Sequence, residues 1–174
     1  MAGIFTKRGW PVTRKNRGKG RGQGRLLVIG LGNTLLTDDG VGIYVARELA
    51  RRLPEVEVKE SSVGGLELLD TIRGWDHVIL IDAIMTGAQP GILMKVRAEE
   101  LRGGSAMTRH QVSLPEALAL GKAMKMELPE IVTIYAVEVR DVTTFGESCT
   151  PAIEKKIPEI AEQIRGDIET ILHS

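Results

Sequence analysis

The sequence has one cysteine and few aromatic residues, and both shortages limit what the protein can be. The single cysteine, Cys149, excludes an internal disulfide and suits a reducing compartment, so we expect a cytoplasmic protein. Aromatic residues make up only 3% of the chain, so the core has to be built mainly from Val, Ile, Leu, Ala and Met. No apolar run approaches the roughly 20 residues that a membrane-spanning helix needs, and no apolar stretch precedes residue 26. We therefore expect neither a membrane anchor nor a secretory signal.

Charge is balanced over the whole chain but is unevenly distributed. The formal net charge is +0, from 23 basic and 23 acidic residues. Residues 1–25 hold eight of the basic residues and no acidic one, and they are rich in glycine. Such a segment lacks the apolar surface that folding needs, so we predict a flexible basic tail over 1–25 and a single α/β domain over 26–174. The tail could contact an acidic partner or nucleic acid, but a solvated tail is the simpler interpretation, and we expect no nucleic-acid partner.

Apolar periodicity predicts alternating strands and helices. Short apolar runs bounded by turn residues predict five strands, at 25–33, 56–60, 77–84, 91–96 and 130–139. Apolar residues at helical spacing predict four helices, at 39–53, 64–74, 113–126 and 150–172. In the last helix, Thr150 is placed to cap the N-terminus and Pro158 should bend the axis.

The order of these elements predicts a three-layer α-β-α fold with a five-stranded, mostly parallel twisted sheet. The connection between the third and fourth strands is short, whereas a parallel crossover needs roughly a dozen residues or more. We therefore predict that the fourth strand is antiparallel and lies at an edge of the sheet.

Polar residues follow several of these strands, at the edge where open α/β sheets bind ligands. Asp38 and Asp39 follow the first strand in "GNTLLTDDG", Asp82 closes the third, and His110 lies in the polar loop 101–111. The adjacent acids could simply stabilise the next helix N-terminus, and a lone loop histidine is a weak signal. A charge at the end of a buried strand is costly, however. Carboxylates and imidazole bind zinc or nickel, so Asp39, Asp82 and His110 form a candidate metal or acid–base site.

Two other kinds of site have weaker support. Gly30 and Gly32 open a turn after the first strand, but Leu35 replaces the third glycine of a dinucleotide-binding motif, and two carboxylates would face the pyrophosphate. Cys149 precedes a helix N-terminus, which could lower its pKa. No histidine is near it in the sequence, and a lone cysteine is usually a packed thiol.

Several of these motifs occur together in a known enzyme family. The successive stretches "LLVIGLGNTLLTDDGVGIYVAREL", "VGGLELLDTI", "VILIDAIMTGAQPGILM" and "RHQVSLPEAL" resemble the [NiFe]-hydrogenase maturation endopeptidases. The resemblance covers residues 25–172, and the opening G-x-G-N-x-L-x-x-D-[DE]-G motif is its most specific part.

The resemblance implies an aspartic-type endopeptidase that removes the C-terminal peptide from a hydrogenase large-subunit precursor after nickel insertion. It implies nickel that arrives with the precursor, not a metal bound tightly by the isolated protein. By position, the family's metal-site residues fall on Asp39, Asp82 and His110, and Asp38 or Asp39 is the candidate general base. Two alternatives stay open: a free-standing metal-dependent hydrolase with bound zinc, and a non-catalytic protein that binds nickel or the partner without cutting it.

Overall fold

The computed structural model describes residues 24–98 and 114–173. In this part of the chain the strands are β1 (Leu26–Leu31), β2 (Glu57–Ser61), β3 (His77–Ile84), β4 (Leu93–Arg97) and β5 (Ile131–Glu138). The helices are α1 (Val41–Arg52), α2 (Leu66–Ile72), α3 (Leu114–Ala123), α4 (Pro151–Glu154) and α5 (Ile157–Leu172). A short 3-10 helix, Thr37–Gly40, precedes α1. Each predicted strand is present, so short apolar runs identified the sheet correctly.

The sheet has the strand order β2-β1-β3-β5-β4. Strands β1, β2, β3 and β5 run parallel, and β4 pairs antiparallel with β5 at one edge. The predicted antiparallel edge strand is therefore confirmed, because the connection 85–92 is too short for a crossover and the chain reverses direction. The four parallel strands end at one side of the sheet, called the carboxyl edge below, and β4 begins there.

Helices cover both faces of the sheet. Alternate residues of a strand point to opposite faces, so a strand that is apolar throughout needs a covering layer on each side. On β3, Ile79 and Ile81 belong to the apolar cluster that includes α1 and α5. Val78 and Leu80 belong to the cluster that includes α2 and α3. The predicted three-layer α-β-α fold is thus confirmed.

Two helix predictions need correction. The first helix begins at Val41, not at residue 39, because Asp38 and Asp39 lie in the preceding 3-10 helix. The helix predicted as one bent segment over 150–172 is two helices, and Pro158 lies in the first turn of α5. A proline there removes no helical hydrogen bond, because the first N–H groups of a helix have no partner within it.

Two predictions lie largely outside the described residues. The predicted basic tail is described only at its last two residues, and the loop that contains His110 lies in the undescribed segment 99–113. No helix in the described part of the chain is long and apolar enough to cross a membrane.

Candidate functional site

A glycine brings α1 directly against the ends of two strands. A Cβ atom at Gly42 would lie 2.2 Å from the carbonyl oxygen of Ile81 and 2.3 Å from that of Leu31. These separations are far shorter than a van der Waals contact, so a larger residue would push α1 away from β1 and β3. Asp39 lies shortly before Gly42 in the chain. Asp82 directly follows Ile81, so this packing brings both acids to the carboxyl edge.

The turn that precedes the 3-10 helix also depends on glycine. Gly32 has a φ of +143°, and a Cβ atom there would lie 2.0 Å from the carbonyl oxygen of Asp39. At Gly30, a Cβ atom would lie 2.4 Å from the carbonyl oxygen of Gly42. Side chains are excluded from both positions by backbone. The glycines therefore allow the backbone around Asp39 to pack closely. This role differs from the phosphate binding that glycines have in a dinucleotide-binding motif.

The backbone sets the orientation of Asp39. The side chain is almost fully buried, with 3% of the residue exposed. Its Oδ2 accepts a hydrogen bond of 2.9 Å from the backbone N–H of Asn33. Asn33 in turn accepts a hydrogen bond at Oδ1 from the N–H of Leu35 at 3.0 Å. The chain therefore turns tightly around the Asp39 carboxylate and holds it in one orientation.

Asp82 lies inside the sheet on β3, just before the strand ends at Ile84. The residue is 0% exposed, and its Oδ1 accepts a hydrogen bond of 2.8 Å from the N–H of Ala83. An ionised carboxylate in such a place is costly unless hydrogen bonds, a proton or a cation compensate for lost solvation. The structure thus places Asp39 and Asp82 as two buried acids, on different elements, at the same edge.

Asp38 makes contacts of a different kind from those of its neighbour. Its Oδ1 accepts a hydrogen bond from the N–H of Thr150 at 2.7 Å, and its Oδ2 accepts from the Thr150 hydroxyl at 3.1 Å. Oδ2 also accepts from the N–H of Asp141 at 3.3 Å. Thr150, predicted to cap the last helix, makes no side-chain cap. Asp38 therefore ties the 3-10 helix to the segment 141–150, and its catalytic role stays a prediction.

Asp38→Asn should lower the free energy of unfolding by about 1–3 kcal/mol, the usual cost of a buried donor without a partner. Both carboxylate oxygens accept hydrogen bonds, so an amide nitrogen in place of either would face a donor. Urea denaturation followed by circular dichroism measures the loss. The control is Asp70→Asn, the same change at an exposed position of α2, for which we expect less than about 0.5 kcal/mol. Equal stability of the two variants would contradict the anchoring role of Asp38.

A fourth buried acid, Glu138, holds the loop that follows β3. Its Oε1 accepts hydrogen bonds from the N–H groups of Thr86 at 2.8 Å and Gly87 at 2.9 Å. Its Oε2 accepts from the Thr86 hydroxyl at 2.8 Å. Glu138 was not among the predicted site residues. Glu138 also lies near the end of a buried apolar run, and this was the sequence signal that identified Asp82.

Cys149 is a packed thiol. Its Sγ lies 3.7 Å from the carbonyl oxygen of Thr37, and burial, followed by the nearby charge of Asp38, raises the thiol pKa to about 12. At neutral pH the group stays protonated, and a protonated thiol is a poor nucleophile. The burial of Cys149 agrees with its interpretation as a packed residue.

The predicted metal-ligand set extends beyond the described residues. Within 24–98 and 114–173, no group of three His, Cys, Asp or Glu side chains is arranged to hold a metal ion. The set of Asp39, Asp82 and His110 needs a residue from the segment 99–113, so it stays a prediction.

Comparisons with known proteins point to one family. Residues 43–167 match the family described as hydrogenase maturation protease. The chain is 32% identical over 148 residues to hydrogenase 2 maturation protease of Escherichia coli strain K12, covering 80% of this chain and 88% of that protein. It is 30% identical over 148 residues to the hydrogenase expression/formation protein HupD of Thiocapsa roseopersicina, covering 82% of this chain and 66% of that protein. The fold is similar to that of the hydrogenase maturating endopeptidase HybD from E. coli, with a TM-score of 0.68 and 28% identity, covering 84% of this chain and 93% of that one. The chain therefore belongs to the hydrogenase maturation protease family.

Proposed function

We propose that this chain is a cytoplasmic endopeptidase that removes the C-terminal peptide from the large-subunit precursor of a [NiFe]-hydrogenase after nickel insertion. Membership in the hydrogenase maturation protease family supports the reaction class and the kind of substrate. The observation that carries the proposal is the location of two buried carboxylates, Asp39 and Asp82, at the carboxyl edge. Open α/β sheets bind their ligands at this edge.

In this proposal the nickel belongs to the substrate. The precursor brings the ion, and Asp39, Asp82 and His110 recognise it through carboxylate and imidazole groups, which suit a divalent cation of this kind. Hydrogen bonds from the backbone N–H groups of Asn33 and Ala83 orient the two carboxylates before the precursor arrives. Binding of the ion would hold the scissile peptide bond in a fixed position, and such positioning is a major source of rate enhancement.

Asp39 acts as the general base in this mechanism. Hydrolysis requires a water oxygen to attack the scissile carbonyl carbon while a base takes a proton from that water. The protonated base can then return the proton to the nitrogen that leaves, as expected for an aspartic-type peptidase. Asp38 is less suited to this step, because Thr150 and Asp141 donate hydrogen bonds to its two oxygens. Its task is to hold the 3-10 helix that carries Asp39.

Cleavage of nickel-loaded precursor, without cleavage of nickel-free precursor, is the expected result. The purified chain is mixed with each form, and mass spectrometry follows the large subunit. Equal cleavage of the two forms would contradict nickel recognition. A free-standing metallohydrolase would instead contain stoichiometric zinc and lose activity on chelation. A non-catalytic binding protein would form a stable complex in which the precursor keeps its mass.

A further inference from the structure

The exposed large apolar side chains are concentrated at the carboxyl edge. Among the described residues, six of the eight exposed large hydrophobic side chains lie where strands end or begin at this edge. We call these six the apolar rim: Leu35, Val63, Leu66, Met85, Ile92 and Phe145. The other two, Leu120 and Met124, lie on α3 and in the connection from α3 to the start of β5.

Backbone hydrogen bonds connect two loops of the apolar rim to each other and connect Ile92 to the end of β5. The loop of Leu35 pairs with the loop of Phe145 through a hydrogen bond from the N–H of Gly146 to the carbonyl oxygen of Leu35. Met85 directly follows β3, and Ile92 lies where β4 begins, beside the end of β5. The apolar rim therefore borders the end of β3, which carries Asp82, and the loop that leads from β1 to Asp39.

Charged residues are absent from short segments around the apolar rim, although Glu67 directly follows Leu66, and Asp141 and Glu147 flank the segment of Phe145. The segments 33–37, 61–66, 85–92 and 142–146 lack Lys, Arg, Asp and Glu, although these residues make up 26% of the chain. Depletion of charge together with large apolar and aromatic side chains is typical of the centre of a protein–protein interface. Grouping along one edge also distinguishes these side chains from scattered surface hydrophobics, which need no explanation.

Buried acids hold two of these loops in place. Asp38 anchors the segment 141–150, which carries Phe145, through Thr150. Glu138 anchors the loop that begins with Met85. A surface that is already ordered loses little conformational entropy on binding, so more of the contact energy appears as affinity.

We propose that the apolar rim docks an uncharged, apolar segment of the precursor that lies beside the precursor's metal site. This inference rests on the proposed function and adds the chemistry of the partner surface. The rim is continuous with the edge that carries Asp39 and Asp82, and a second copy of the chain bound there would cover both acids. The nickel provides one point of recognition, and the rim provides apolar contact area that binds the polypeptide beside it.

Phe145 is the anchor of this surface. It is 84% exposed, and it is one of only 2 phenylalanines in the chain. Aromatic side chains supply a large contact area at low entropic cost, and a few such residues dominate the affinity of an interface. The ring of Phe145 therefore makes the largest single apolar contact available to a partner at this edge.

Phe145→Ser should raise KM for the nickel-loaded precursor about tenfold or more and change kcat less than about threefold, because the ring contributes binding and takes no part in the chemistry. The matched control is Met124→Ser, which removes another large apolar side chain, 65% exposed, away from the carboxyl edge. For this control we expect KM within about twofold of the wild-type value. Thermal denaturation checks that both variants are folded, and Leu35→Ser replaces Phe145→Ser, with the same expected shifts, if the latter does not fold.

Equilibrium binding separates docking from cleavage. Nickel-free precursor is not expected to be cut, so its dissociation constant can be measured with the wild-type chain and both variants, and Phe145→Ser alone should raise it about tenfold. Binding that depends on Phe145 without any cleavage of loaded precursor would support docking and reject the peptidase. If Phe145→Ser cleaves the precursor with an unchanged KM and an unchanged dissociation constant, the docking proposal is overturned and the proposed peptidase function is retained. A wild-type dimer in sedimentation that dissociates in Phe145→Ser would assign the rim to a second copy, which also overturns the proposal.

Discussion

Asp82→Asn should slow cleavage of the nickel-loaded precursor by about 100-fold or more, the usual cost of a misplaced substrate. Asparagine has nearly the same shape, and its carbonyl oxygen can still accept the hydrogen bond from the N–H of Ala83. The variant loses the negative charge on which binding of a divalent cation depends. The scissile bond would then no longer be held against Asp39. Mass spectrometry of the large subunit over time measures the rate.

The other predicted ligands allow the same experiment. Asp39→Asn and His110→Ala should each lose activity to a similar extent, whereas Asp70→Asn, the exposed control, should cleave at the wild-type rate. Thermal denaturation of each variant separates a loss of chemistry from a loss of fold. Full activity of Asp82→Asn or of His110→Ala would show that nickel recognition does not use that side chain.

Gly42→Ala should destabilise the protein by about 2 kcal/mol, because overpacking against backbone exceeds the gain of up to about 1 kcal/mol that alanine brings to a helix. The added Cβ atom would lie 2.2 Å from the carbonyl oxygen of Ile81, and α1 would have to move away from β3. Asp39 would move with it, so we also expect slower cleavage. Urea denaturation measures the change in stability, and the precursor assay measures the change in rate.

Gly166→Ala is the matched control for this substitution. It makes the same change within α5, and a Cβ atom there would meet nothing within 4 Å. Alanine should therefore stabilise the protein by up to about 1 kcal/mol through helix propensity alone. If Gly42→Ala proved as stable as Gly166→Ala, the close approach of α1 to the two strand ends would be wrong.

The sheet could be predicted from the sequence because its signals are local. Strands β3 and β5 are apolar on both faces, as central parallel strands must be, and the period of their side chains is visible in a few residues. The antiparallel direction of β4 followed from the length of one connection. The helix boundaries were less predictable, because the break before α5 and the 3-10 helix at Thr37–Gly40 depend on contacts with distant segments.

The different roles of two adjacent acids could not be predicted in this way. Asp38 and Asp39 differ by one position, but the partners of Asp38 are Thr150, 112 residues away, and Asp141, 103 residues away. Asp39 instead accepts a hydrogen bond from Asn33, within its own turn. The spacing of residues in the sequence does not indicate which of two neighbouring carboxylates accepts hydrogen bonds from a loop more than a hundred residues away.

The α/β fold, the antiparallel edge strand, and the acids after the first strand and near the end of the third could be predicted from the sequence alone. Tertiary contacts were needed to show that Asp38 anchors a distant loop, that Glu138 anchors another, and that six exposed apolar residues share one edge. The physical reason is that periodicity and connection length act within one segment of chain. Hydrogen bonds to a buried carboxylate, and the grouping of loops around it, form only when the parallel strands bring their ends together.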